Sequence, residues 1–320
     1  MIKLRVFVSE SLDVYHNQAI EKYFLDRIED DEVILYLWQN DRTIVIGANQ
    51  DAYGECDIEK LEKDGGHLAR RITGGGAVYH DKGNLNFTFI TPKALYDLSK
   101  QEEVILKALD CLGIRAAKTG RNDLVIDGRK FSGHAYYKGK KSCLHHGTLM
   151  LEVDEGRLQD YLRVSLAKLH SKNVASVRSR IINLKSVRED LDLDSLKKAL
   201  IHSAELIYET KAEPYTAFDQ KELTKLEAQF KDDKWRYGKL YKEGRVIEKR
   251  FDFGTVRIVY VMEEDQIKDL SVFTDALDTD LFDGLEKRLI GKRIDEIDTE
   301  KENKESKAVI ESLKEDFNEI

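Results

Sequence analysis

At 320 residues the chain is long enough for a sizeable core and for two domains. Its 41% hydrophobic and 35% charged residues are those of an ordinary globular protein, and a net charge of −8 leaves no basic excess for a general nucleic-acid binder. Cys56, Cys111 and Cys143 are widely spaced and form no C-x-x-C pair, so neither a disulfide framework nor a zinc site is expected, and a reducing compartment is the default.

The N-terminus opens on a strand-like run, Ile2–Val8, rather than a charged-then-apolar leader, and no apolar run reaches membrane-spanning length. A cytoplasmic protein without membrane contact is therefore expected. Helical spacing of Val14, Ala19, Ile20, Phe24 and Leu25 predicts a helix over Asp13–Arg27. Glu32–Trp38 and Arg42–Ile46 are β-rich, and Gln39, Asn40 and Asp41 between them read as a hairpin turn. Ile58–Asp64 is a short helix stopped by Gly65 and Gly66. His67–Ile72 is expected to be a strand, with Ala77–His80 as its continuation.

Between them lies the densest chemical signal, RRITGGGAVYH over Arg70–His80. Arginine offers a planar fork of donors suited to carboxylate or phosphate, and consecutive glycines let a ligand lie against bare backbone. Taken alone, the stretch also reads as a glycine turn carrying two surface arginines. Asp81–Asn84 is a turn and Leu85–Ile90 a strand with Leu85, Phe87 and Phe89 on one face, ended by Pro92. Ser99–Leu112 is a helix capped by Gly113.

Asp127-Gly128 between β-rich runs is a strong hairpin signal. A two-residue loop pairs Ile126 with Arg129, Val125 with Lys130, Leu124 with Phe131 and Asp123 with Ser132. Asp123, Val125, Lys130 and Ser132 would then share a face. Two readings stay open here: a solvated Lys–Asp ion pair of little energetic weight, or a lysine and a carboxylate held on rigid strands beside a ligand.

Ala135–Tyr137 and Cys143–Val153 form a further hairpin turning at the basic tip Lys138–Lys141. His145 and His146 fall on opposite faces of its second strand, one packed and one facing a pocket. Helical stretches follow at Leu158–Leu169, Leu191–Ile207 and Leu223–Phe230. After a polar hinge at Lys242–Gly244 come strands Val246–Phe253, Thr255–Met262 and Ile267–Phe273, then helical stretches Asp280–Leu289 and Lys304–Phe317. This order predicts a small second α+β domain.

The glycines lack G-x-G-x-x-G spacing, and the chain has no G-x-x-x-x-G-K-[ST], G-x-S-x-G or H-E-x-x-H. What remains is a β-rich site of arginines, a glycine turn, a hairpin lysine and a carboxylate, a set suited to a phosphate-bearing anion with a divalent cation.

These residues also carry a resemblance. RRITGGGAVYHD (Arg70–Asp81), GNLNF (Gly83–Phe87), GRNDL (Gly120–Leu124), GRKFSG (Gly128–Gly133) and HHGTL (His145–Leu149) resemble, in order, the motifs of lipoate–protein ligases. SVRS (Ser176–Ser179) and VFTD (Val272–Asp275) are similar as well, the latter to the family's C-terminal accessory domain. The resemblance implies an α+β fold: a mixed-sheet catalytic domain over 1–238, like that of biotin ligases and class II aminoacyl-tRNA synthetases, and an α+β accessory domain over 247–320. It implies ATP-dependent, Mg²⁺-assisted conversion of lipoate to lipoyl-AMP, then transfer to a lysine of an acceptor protein. Acceptors would be lipoyl domains of 2-oxoacid dehydrogenase E2 subunits or the glycine-cleavage H protein, and the enzyme a monomer.

By position, Lys130 matches the family's essential lysine, which contacts both acyl group and nucleotide. Arg71, Gly76, Ala77, Val78 and Tyr79 match the ATP-binding stretch. Arg70, Thr73, Gly74 and Gly75 would line the acyl and phosphate pocket, with His146 and Gly147 beside them. Asn122 and Asp123 match positions near metal and phosphates. One departure is Ala48, after Ile44–Gly47, where the family often carries Arg or Lys. The rival readings are an ATP-independent octanoyl or lipoyl transferase working through a cysteine thioester, and a binding protein with a degenerate site. Against the first, GRNDL stands where that branch carries its cysteine.

Overall fold

The computed structural model describes residues 2–120, 122–163, 181–241 and 243–318. The described residues build an eight-stranded mixed sheet, order β11-β1-β2-β6-β10-β9-β8-β7, and two three-stranded sheets, β4-β3-β5 and β12-β13-β14. In the large sheet, β1 (Lys3–Val8) runs parallel to both β2 (Glu32–Trp38) and β11 (Ala212–Pro214). From β2 onward the ladder is antiparallel through β6 (Asn84–Pro92), β10 (Ser142–Met150), β9 (Arg129–Lys138), β8 (Asp123–Ile126) and β7 (Ala117–Thr119).

Alternation along these strands sends residues to two different cores. Leu85, Phe87 and Phe89 pack with helices α2 (Leu98–Cys111) and α3 (Leu193–Tyr208) on one face. Tyr36, Trp38 and Ile90 pack with α1 (Val14–Arg27) and α4 (Gln220–Lys231) on the other. All four helices start on an aspartate (Asp13, Asp97, Asp192, Asp219) whose carboxylate accepts from first-turn amides. Gly113, at φ +72°, supplies the left-handed residue after α2. The stretch expected to be helical over Leu158–Leu169 is helical at Glu155–Tyr161; Leu162 instead bridges Cys56, and residues 164–169 lie outside the described residues, as does Ser176–Ser179.

Two expectations about the middle of the chain are corrected. Residues 39–41 do not close a hairpin: β3 (Thr43–Ile46) leaves the large sheet and centres the small one. The fully buried Asn40 makes that exit, bonded through its side chain to Asn17 and His80. Nor do the strands around the glycines form one run. β4 (His67–Arg70) pairs parallel with β3 on one side, and β5 (Val78–His80) pairs antiparallel on the other. Residues 71–77 therefore cross over the end of β3 as a loop.

The C-terminal sheet of β12 (Arg245–Phe251), β13 (Gly254–Glu263) and β14 (Gln266–Thr274) has its own core with helix α5 (Lys304–Asn318), built on Ile258, Tyr260, Leu270, Val309 and Leu313. The stretch expected to be helical over Asp280–Leu289 is helical only at Leu285–Leu289. Among the described residues no helix is long and apolar enough to cross a membrane.

Candidate active site

A pocket of about 150 Å³ lies on the α1 face of the large sheet, where the crossing loop meets β9 and β10. Its lining includes Arg71, Gly75, Gly76 and Ala77 from the loop, Val78 at the start of β5, Asn122, Lys130 and Gly133 from the hairpin, and His146, Gly147 and Thr148 from β10. Thus the separate motifs do meet.

The hairpin turns at Asp127 (φ +49°) and Gly128 (φ +74°), the conformation that an Asp-Gly pair favours. Ile126 pairs with Arg129 and Val125 with Lys130, as the two-residue loop predicts. A register shift then makes Leu124 face Ser132 and Asp123 face Gly133. Ser132 is thereby turned to the buried side, fully enclosed, so its expected place beside Lys130 is corrected. Asp123 and Lys130 keep theirs: Lys130 Nζ stands 2.8 Å from Asp123 Oδ1, and both side chains are partly exposed. Lys130 lies across bare backbone, since a Cβ on Gly133 would sit 2.7 Å from its Nζ. Asn122 Nδ2 donates to the His134 carbonyl at 3.0 Å, while the His134 amide donates to the Asn122 carbonyl at 2.8 Å, which locks the entry to β8.

The two arginines do something other than present open forks. Arg70 is buried and does not line this pocket; its Nη1 donates to the carbonyls of Gly47, Ala48 and Gln50, and its Nε to that of Trp235. Arg71 does line the pocket, but its guanidinium bonds Val45 O, Gly74 O, Gly76 O and Thr73 Oγ1. Burial pulls both guanidinium groups down to about 10, still protonated near neutral pH. They pin the loop, and a planar five-donor group is what collects several carbonyls at once. The Ala48 departure sits within this arrangement: its carbonyl accepts from Arg70, and its amide donates to Thr73 O at 2.9 Å.

The glycines divide in the same way. A Cβ on Gly74 would lie 2.3 Å from Ala276 O and 2.6 Å from Leu277 O, so that glycine admits the C-terminal domain. Gly75 has φ +94°, and its amide donates to Ala276 O at 3.0 Å. Only Gly76 faces open space, with nothing within 4 Å of its would-be Cβ. Tyr79 is buried in the core of the small sheet and does not line the pocket.

His146 and His145 part to opposite faces as expected. His146 Nε2 meets Thr73 Oγ1 at 2.8 Å and its Nδ1 meets Glu21 Oε1 at 2.8 Å. Glu21 Oε1 also accepts from Thr88 Oγ1 at 2.6 Å, whose oxygen accepts from Trp38 Nε1 at 2.9 Å. On the other face His145 Nδ1 pairs with Gln101 Oε1, its Nε2 with His134 Nδ1, and His134 Nε2 with Ser132 Oγ. Starting from an acceptor-only Gln101 oxygen, each ring donates one way and accepts the other, so both histidines are neutral. Burial drives His134 down to about 3 and His145 well below its ordinary value, which agrees.

Gln18 and Trp38, which line this pocket, and Glu21, which bonds the lining residue His146, were not singled out from the sequence. The signal was present: Asn17, Gln18 and Glu21 are polar residues at buried positions of an otherwise apolar helix face. None of the three cysteines lines the pocket. Cys56 and Cys143 are buried, with burial raising both thiols (Cys56 to about 12), and Cys111 is exposed at the end of α2.

Residues 13–205 match the Lipoyl protein ligase A/B catalytic domain, and residues 244–316 the Bacterial lipoate protein ligase C-terminus. The chain is 38% identical to lipoate-protein ligase A of Bdellovibrio bacteriovorus over 301 residues, 91% of this chain and 89% of that one. This chain belongs to the lipoate–protein ligase family. It is 36% identical to lipoate-protein ligase A of Psychrobacter cryohalolentis over 93% of its length and 91% of the relative's. Among solved structures, P. falciparum LipL1 in complex with lipoate superposes with a TM-score of 0.78 at 29% identity, covering 99% of this chain and 100% of that one. A lipoate-protein ligase A bound with ATP superposes with a TM-score of 0.64 at 25% identity, covering 75% and 99%. The mixed α+β fold and the enzyme class read from the motifs both hold for this lipoate–protein ligase family member.

Proposed function

We propose that this chain uses ATP to activate lipoate and transfers the lipoyl group to acceptor lysines. A lipoate carboxylate oxygen attacks the α-phosphorus of ATP, the bond to the β-phosphate oxygen breaks, and pyrophosphate leaves. The acceptor's ε-amine then attacks the acyl carbon of lipoyl-AMP, loses a proton, and displaces AMP to leave an amide.

The observation that carries this reading is the different state of the two cations lining the pocket. Arg71 is enclosed and committed to carbonyls, whereas Lys130 is half-open and, among the described residues, paired only with a partly exposed carboxylate. A mobile ammonium there can follow the charge that grows on the acyl and α-phosphate oxygens in both steps. Gly76, Ala77 and Val78 offer a backbone wall for nucleotide phosphates. We assign Asn122 and Asp123 to the neighbourhood of Mg²⁺. Among the described residues no cluster of three or more His, Cys, Asp or Glu could hold a metal. That donor set fits a cation arriving with ATP, since Mg²⁺ keeps phosphate and water ligands and needs only one or two carboxylates. Bound there, it would neutralise phosphate charge.

We take 1–238 as the catalytic domain and 247–320 as the accessory domain of a cytoplasmic monomer. One structural neighbour is a bi-partite lipoate protein ligase of Thermoplasma acidophilum described with its E2 lipoyl domain as a lipoylation system; for this chain we propose E2 lipoyl domains and the H protein. The exposed Lys138, Lys140 and Lys141 at the β9–β10 turn suit an acidic acceptor surface, and a salt-insensitive acceptor KM would count against that.

Incubation with ATP, Mg²⁺, lipoate and a lipoyl domain is expected to release pyrophosphate and raise the acceptor mass by one lipoyl group. Absence of both refutes the ligase reading. Replacing all three cysteines by serine should leave transfer intact; loss of transfer with the fold preserved would favour the thioester route.

A further inference from the structure

Part of the pocket lining is polar, and among the described residues several of its donors have no hydrogen-bond partner. Gln18, His80 and Asn86 all line the pocket, and each is at least nine-tenths buried. Gln18 Nε2 and Oε1, His80 Nε2 and Asn86 Nδ2 are buried atoms without a hydrogen-bond partner among the described residues. The remaining atoms of two of these groups fix what the unpaired ones are. Asn17 Nδ2 donates to Asn40 Oδ1, so Asn40 Nδ2 donates to His80 Nδ1 at 3.0 Å, and the proton of a neutral His80 ring sits on Nε2. Burial beside Arg71 lowers His80 to about 3, which keeps that ring neutral. Asn86 Oδ1 accepts from Asn84 Nδ2 at 2.9 Å, leaving Asn86 Nδ2 as a donor. Gln18 brings a third N–H. Leaving several such groups unsatisfied in a protein interior is costly, so a grouping of them points to a ligand that completes them.

Strand register sets the distance from the reacting end. Asn86 on β6 faces Thr148 on β10, and Thr148 Oγ1 accepts from the Gly133 amide on β9, over which Lys130 lies. Two strand spacings separate Asn86 from Gly133, about 10 Å, which is comparable with the reach of an extended medium-chain acid. An acid whose carboxylate meets Lys130 thus brings its far end to Asn86, with Gln18 and His80 lining the same pocket.

We propose that these three side chains form a distal donor subsite that selects acids whose far end accepts hydrogen bonds over acids ending in a bare methyl. The inference rests on the ligase reading for its substrate class. Dithiolane sulfurs are weak acceptors and an oxygen is a strong one; a methyl leaves the donors unsatisfied, and sites built to bond a polar group reject its apolar analogue.

The test compares octanoate with 8-hydroxyoctanoate, which differ only at that end. Two readouts are used: ATP-free binding followed by the fluorescence of Trp38, which lines the same pocket, and kcat/KM for pyrophosphate release. The wild-type chain should favour the hydroxy acid by about tenfold or more in both. Gln18→Leu, and separately Asn86→Leu, should bring that ratio towards one by improving octanoate while weakening the hydroxy acid. A wild-type ratio at or below one overturns the proposal and means the donors hold only water; so does a ratio that neither variant moves. Failure of pyrophosphate release with every acid would strike the ligase reading, while the binding ratio would still decide the subsite.

Discussion

Lys130 stands where a charge must be available yet not committed. Its pairing with Asp123 is partly exposed, and such pairs contribute at most about 1 kcal/mol to stability. Lys130→Ala should therefore leave the thermal midpoint nearly unchanged while lowering pyrophosphate release by about 10²-fold or more; release at the wild-type rate would refute the role. The buried histidines act in the opposite way, through the fold. His80 and His134 titrate at about 3 in the native state against 6.5 when unperturbed, and His145 lies well below that value as well. Above pH 6.5 both folded and unfolded chains hold these rings neutral, so the linkage vanishes. Below it the unfolded chain binds protons that the native one refuses, and stability falls by about 1.4 kcal/mol per pH unit for each ring. The loss runs from about 6.5 down to about 3. Urea midpoints at pH 7.5, 6 and 5 should decline in that order; a flat profile would contradict neutral burial.

At the scale of elements, the loop 71–77 is held over the end of β3 by contacts that leave no room for a Cβ. One on Gly47 would lie 2.2 Å from the Gly75 carbonyl. Because that neighbour is backbone, Gly47→Ala has to displace the loop, and a loss of about 1–3 kcal/mol in stability is expected together with a rise in the acid's KM. Denaturant titration and substrate kinetics on the same variant would check both. The hairpin of β8 and β9 shows how far local sequence reaches. Asp127-Gly128 announced the turn and its first two pairs. The shift beyond Val125 was not legible, because it goes with the burial of Phe131, Ser132 and His134 on β9, which tertiary packing decides, rather than with any turn residue. Likewise the β-rich runs on either side of residues 39–41 were readable as strands. Their assignment to different sheets depended on Asn40 finding Asn17 and His80, residues far away in the chain.

Across the whole molecule, the accessory domain touches the catalytic one at the glycine motif itself. The Thr274 amide donates to Asn49 O, Asn49 Nδ2 to Thr279 O, and Arg257 pairs with Asp51. Gly74→Ala would drive a methyl into the carbonyls of Ala276 and Leu277. The expected outcome is faster amide exchange at Gly75 and Thr274 with the separate cores of both domains still protected. Unchanged exchange at those two amides would show that the contact tolerates a side chain.

The sequence by itself determined most of the elements, the α+β class and the family, because periodicity, turn residues and ordered motifs are local properties of the chain. It also determined that Lys130 and Asp123 share a face, since strand parity and an Asp-Gly turn require it. Only the tertiary structure decided what Arg70 and Arg71 do. A guanidinium's fork fits carbonyl oxygens as well as phosphate, and the choice depends on which oxygens folding brings within reach. The same holds for Gly74, whose bare backbone meets a domain two hundred residues further along the chain, and for Gln18, His80 and Asn86, whose unpaired donors converge only when α1 is laid across the sheet.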